Sequence, residues 1–286
     1  MTPGPFTLFV GIDWSGAVGP RLPGLRVAIC RPDHGPPELV DGPFNGLWSR
    51  NTLLDLLVDL TARHQALIGF DFAFTYPFLD RGAYFPGVER QPRSAPALWQ
   101  LVDRVSHDAE EFYAGPFYRR RDQPFYRYLN APGHRGDLFE SRRRVTEEVC
   151  RRWTAPSSAF NGVGPGAVGI GAIAGMRFLR CLRRSLPIWP HDRPEPGQSV
   201  VVESFPRLVF KRAGQDPRRW QEPETFSETL SYFGAPPVIP PKTEDEADAL
   251  VLAACLRSDA VRPELWAPAG LTRRVAHSEG WIFGVF

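Results

Sequence analysis

The sequence predicts an α/β fold, a sheet carrying helices on its faces. Two observations lead there. Short apolar runs of strand length recur at 7–14, 25–30, 66–72 and 199–205, and segments with leucine or alanine at helical spacing follow them. No internal repeat is visible, so the core forms once.

The first run, TLFVGIDW, ends in an acid and passes into Ser15-Gly16, a turn. LRVAIC at 25–30 reads as a second strand, and 38–41 as a short third. Leucines at helical spacing over 49–64 predict a helix, with Ser49 or Asn51 as N-cap. ALIGFDF at 66–72 is a strand of the buried type and again ends on an acid. Regularity then gives way over 78–160, which is rich in Pro, Arg and aromatics and reads as a largely helical insertion, with pieces at 95–111 and 138–153. The core pattern returns with a helix at 168–186, entered through the glycine-rich NGVGPGAVGIG at 161–171. A strand at 199–205, a helical turn at 208–212 and a helix at 225–233 follow. The stretch 244–257 is a strong helix, acidic at its start, where negative charge suits the helix dipole. GWIFGVF closes the chain as a strand or a packed terminal segment. The whole reads as one domain over 1–286 with the insertion inside it.

Composition narrows the class. Hydrophobic residues at 43% and charged ones at 23% are those of a globular protein and exclude wholesale disorder. A net charge of +2 names no partner, and only Lys211 and Lys242 are lysines, so nearly all positive charge is arginine. Cys30, Cys150, Cys181 and Cys255 form no CxxC pair, which excludes zinc-finger spacing and predicts reduced thiols. The opening MTPGPFTLFVGID has no basic leader, and no run reaches the ~18 apolar residues of a membrane span, so a cytoplasmic protein without a membrane partner is expected.

Five acids stand out: Asp13, Asp71, Glu203, Asp245 and Asp248. Three of them lie in or at the end of apolar strands, in FVGIDW, LIGFDF and VVVESF, where an unpaired carboxylate costs several kcal/mol. Parallel neighbouring strands would gather such acids at one sheet edge. Asp245 and Asp248 are three apart on the last strong helix, hence on one face. Oxygen ligands of this kind suit Mg²⁺ or Mn²⁺. Each acid alone also has a plainer reading: Asp13 shaping the turn with Ser15 and Gly16, Asp245 as a helix-start charge, Glu203 paired with an arginine.

VGIDWSG, IGFDFAFTYP, VVESFPRLVF and EDEADALVLAACL, in that order, resemble the domain of unknown function family 429, a group of predicted nucleases with a ribonuclease H-like fold. The last helix is also similar to the DAADAL-type helix of Holliday-junction resolvases, whose paired aspartates bind metal. The resemblance covers about 10–75 and 160–286 and leaves the middle insertion outside it. It implies a ribonuclease H-like mixed sheet with helices on both faces, and metal-dependent phosphodiester hydrolysis of DNA or RNA. Asp13 would then be the first-strand acid, Asp71 the fourth-strand acid, and Asp245 with Asp248 the catalytic pair of the last helix. Glu203, on the fifth strand, is an extra acid relative to the resolvase pattern. The DWSG turn with a later glycine-rich loop also resembles actin/hexokinase-like phosphotransferases, in which Ser15 and the loop would hold nucleotide phosphates and Asp71 act as base.

Substrate contacts are expected from three further places. Gly164 and Gly166 stand at a helix start whose free N–H groups suit a phosphate, although neither GxxxxGK[ST] nor GxGxxG is present. Arg119, Arg120 and Arg121 lie in FYRRRDQPFYRYL, where rings and arginines interleave as in single-strand binders; SRRRVTEEVCRRW also fits an internal ion-pair network. Lys242 would neutralise a phosphate or pair with Glu244. The histidines read as bystanders, His34 among them, with His107 or His134 as site candidates. Without GxSxG or a Cys–His grouping, nucleophilic-residue catalysis has no support. A non-catalytic nucleic-acid or protein-binding module remains the third reading.

Overall fold

The run LFVGID carries apolar residues at both parities, so its strand must be covered on both sides. In the computed structural model, which describes residues 3–33 and 35–286, it forms β1 (Leu8–Asp13), buried at all six positions. β2 (Arg26–Cys30) pairs antiparallel with it, and β3 (Glu38–Val40) extends that flank. α1 (Arg50–Arg63) begins at Ser49, whose hydroxyl accepts from the Thr52 N–H while the Thr52 hydroxyl accepts from the Ser49 N–H. This crossover delivers β4 (Ala66–Asp71) parallel to β1 on its other side. The mixed sheet is completed by β7 (Val200–Glu203), parallel to β4, giving the order β3-β2-β1-β4-β7.

Between β4 and β7 the expected helices shrink. α2 (Ala95–Val105) stops at Ser106, short of the predicted residue 111. Short 3₁₀ turns at Gly115–Arg119 and Pro124–Tyr128 and a two-stranded ribbon, β5 (Asn130–Ala131) with β6 (His134–Arg135), follow. Of the piece predicted at 138–153, only α3 (Val145–Cys150) is helical. The insertion is therefore largely irregular. Prolines at 116, 124 and 132 remove N–H donors, and the arginine run is extended instead of helical. Arg142 and Arg144 both turn inward while Arg143 between them is half-buried, a period of two. α4 (Gly169–Leu182) then returns the chain to the sheet and packs against α2.

Strand alternation sends Leu8, Val10 and Ile12 into one cluster, with residues of α1, α2, α4 and the insertion. Phe9, Ala28, Leu67, Val200 and Val202 enter a second cluster with α5 (Pro206–Arg212), α6 (Pro223–Tyr232) and α7 (Glu244–Asp259). Helices thus cover both faces. α8 (Pro263–Trp266) and α9 (Arg273–Ser278) precede the tail, whose Ile282 bridges to Glu203. The four cysteines are unbonded. Among the described residues, no helix is long and apolar enough to cross a membrane. His34 lies outside the described residues.

α7 lies directly on β1 because Gly11 has no side chain. A Cβ there would stand 2.3 Å from the Ala249 carbonyl oxygen and 2.6 Å from the Ala253 nitrogen. Backbone cannot yield as a flexible side chain does. Gly11→Ala is expected to destabilise the fold by about 3 kcal/mol or more, read as a lower urea midpoint at unchanged m-value. A variant with the wild-type midpoint would show that α7 moves freely over β1.

Candidate metal centre

The parallel register of β1 and β4 sets Asp13 beside Asp71 at their carboxyl ends. The close seat of α7 on β1 brings in Asp248 from the helix's second turn. One oxygen from each of the three carboxylates lies within 4.8 Å of the others. Burial is the main force on all three. It raises the Asp13 carboxyl well above the usual range, and the charges of Asp248, Asp71 and Asp245 add to it. Burial and then Glu203 push Asp71 up to about 7, with Arg207 opposing. Asp248 is raised by burial, then by Asp71, Glu244 and Asp245, again against Arg207.

Among the described residues, no N–H, hydroxyl or arginine donates to these three carboxylates; the side-chain contact to Asp13 comes from another acid, Asp245. The other buried acids are treated differently. Glu203 accepts from both Arg144 Nη atoms, at 2.7 Å for Nη1, and from the Phe74 N–H at 3.0 Å. Glu147 takes the Nε of the same arginine at 2.9 Å. Glu279 takes the N–H groups of Phe78, Leu79 and Val145 at 2.6–2.7 Å. Asp259 is held by Arg212.

The expected five-acid shell thus narrows to three. Glu203 stands in the cavity wall with both oxygens already engaged, the arginine pairing that its plainer reading anticipated. Asp245 flanks Asp13 and approaches Gly24, its Oδ2 lying 3.7 Å from where a Gly24 side chain would begin. Asp71 and Asp248 open on a cavity of about 570 Å³, to which Arg207, Gly166, Ile170 and Gly171 also contribute; Asp13 does not line it. Gly166, at φ 71°, lines it; Gly164, at φ 78°, does not. The DWSG turn is pressed on the start of α4, since a Cβ on Gly16 would lie 2.5 Å from the Gly171 nitrogen. Two glycine turns therefore make one wall. α4 has no side-chain N-cap, and among the described residues the Ile170 and Gly171 N–H groups make no hydrogen bond.

The insertion contributes less than its composition promises. Arg119, Arg120 and Arg121 are exposed away from the cavity wall, and Arg120 pairs with Asp122 at 2.7 Å. The interleaved rings Phe117, Tyr118, Phe125, Tyr126 and Tyr128 are all buried in the core, so they offer no platform for bases. Lys242 is exposed off the wall, and its backbone N–H donates to Glu246. His107 sits beside exposed Asp108, and His134 stacks on Tyr126; neither lines the cavity.

Arg207 is the residue that sequence reasoning passed over. It lies in the first turn of α5, lines the cavity and, among the described residues, makes no ion pair. A proline-arginine step directly after an acid-bearing strand, as in VVESFPR, was the available signal. Compared with known protein families, with curated proteins and with solved structures, the chain finds no match.

Proposed function

We propose that this protein is a divalent-metal-dependent nuclease, hydrolysing phosphodiester bonds of DNA or RNA on a ribonuclease H-like core. The observation that carries the reading is the unpaired trio. Three carboxylates with oxygens within 4.8 Å, all raised by burial and neighbouring acids, lack, among the described residues, the donors that Glu147, Glu203, Asp259 and Glu279 have. A hard cation supplies that missing charge, and an all-oxygen donor set suits Mg²⁺ or Mn²⁺ over softer metals. The acids also stand where the resemblance to family 429 expects them: on the first strand, the fourth strand and the final strong helix.

Asp13, Asp71 and Asp248 would hold the metal, and Asp245 would orient Asp13. When bound, the metal lowers the pKa of a water and stabilises charge on the leaving oxygen. Arg207 faces the same cavity and binds a phosphate oxygen of the substrate. With its carboxyl pushed up to about 7, Asp71 is partly protonated near neutral pH, and would have to release that proton to hold the metal.

The experiment pairs binding with activity. Mn²⁺ in hundredfold excess over its Kd should raise unfolding stability by about 2.7 kcal/mol. The same preparation should cleave labelled oligonucleotides, and chelation should reverse both effects. No thermal shift and no cleavage across DNA and RNA substrates would remove the proposal.

A further inference from the structure

We propose that the cavity accepts one unpaired nucleotide, so that the substrate is a single-stranded nucleic-acid end and duplex is excluded. This deepens the nuclease reading and rests on it. Asp71 and Asp248 line a partly open cavity of about 570 Å³, a volume suited to one small ligand, and Asp13 stands against them outside its lining. Asp13, deepest of the three, is 8% exposed.

The enclosure comes from distant parts of the chain. The DWSG turn and the start of α4 form one wall, and residues 155–157 of the insertion, the β7–α5 turn and Glu244 complete the ring. A duplex is far too wide for such a space, and a strand running past the acids would need it open at two sides. Proteins that track a long single strand carry a basic groove with exposed rings for stacking. Here the candidate rings are core residues, with Phe117 at 0% and Phe125 at 3% exposure.

The cavity's free donors match one phosphate. Arg144, though it lines the space, is saturated by Glu147 and Glu203. Arg207, among the described residues, makes no ion pair, and a guanidinium acting on Asp71 and Asp248 is suited to hold a phosphate between itself and those acids. The Ile170 and Gly171 N–H groups, unbonded among the described residues, stand at the same wall. These contacts select a nucleotide by its phosphate and by freedom from pairing, without reading its base.

Three oligonucleotides of one sequence test this with Mn²⁺: a linear single strand, the same strand circularised, and a blunt duplex. The linear strand should be shortened from an end to mononucleotides, and the circle and duplex should react at least about 100-fold more slowly. A circle cut as fast as the linear strand overturns the inference. A second readout separates it from the catalytic reading. Thymidine monophosphate titrated calorimetrically with Ca²⁺ present should bind, and Arg207→Ala should weaken it about tenfold or more. Binding without any cleavage would sink the nuclease reading and keep the one-nucleotide pocket. Failure of the nucleotide to bind, or equal binding to Arg207→Ala, would sink the pocket itself.

Discussion

Asp13→Asn should lower metal-dependent cleavage by about 10³-fold or more and at the same time make the metal-free protein more heat-stable. The first effect follows from removing a ligand charge worth several kcal/mol to the reacting centre. The second follows from the environment. Asp13 is deeply buried, accepts no hydrogen bond from a donor group among the described residues and is repelled by Asp248, Asp71 and Asp245. An amide of the same shape relieves that repulsion, whereas removing an acid from a satisfied pair does the opposite. Metal-induced stabilisation should vanish in the variant. A destabilised variant that still cleaves would dismiss the metal centre.

The same acids set a pH dependence with a definite sign. All three are displaced upward, and for Asp71, folded at about 7, the folded state binds more protons between about 4 and 7. The Asp71 contribution to metal-free stability is thus complete at the acid end and is lost as pH rises through about 7. Buried His191, held at about 4 by desolvation, acts in the opposite direction below about 6.5. Subtracting the melting curve of Asp13→Asn from that of wild type isolates part of the acid contribution. Metal-induced stabilisation should grow across the same window, because the cation must displace protons.

The other large effect belongs to Arg144. It is 1% exposed and joins Glu147 of α3, Glu203 of β7 and the Glu279 carbonyl. Arg144→Ala leaves two buried acids uncompensated and should cost about 3–5 kcal/mol, a fall in Tm of roughly 10 °C. Glu203→Gln should also lower Tm yet leave Mn²⁺ affinity near wild type. The reverse pattern, unchanged Tm with lost metal binding, would return Glu203 to the list of ligands.

Much of the site could be read before any coordinates, for a physical reason. An acid at the end of an apolar strand is conspicuous, and parallel pairing of such strands brings their ends together; Asp13 and Asp71 needed nothing else. Glu203 looked identical in sequence, because its partner Arg144 lies 59 residues away and no local pattern announces it. The insertion offered two readings for the same reason. Its arginines and rings imitate a nucleic-acid surface, but Arg142 is spent on Asp80 and the carbonyls of Pro77, Ala83 and Tyr84, and the rings are core. Helix-like composition over 138–153 could not reveal that buried arginines at every second position require an extended chain.

The carboxylate of Glu279 fastens both ends of that insertion, the N–H groups of Phe78 and Leu79 on one oxygen and that of Val145 on the other. During synthesis these partners leave the ribosome 200 residues apart in the case of Leu79, an interval of about 10–40 s at ordinary elongation rates. Until then the two ends are joined by Arg142 on Asp80 and the Pro77 carbonyl, and the cavity wall that Ile282 supplies is added only with the last stretch of chain.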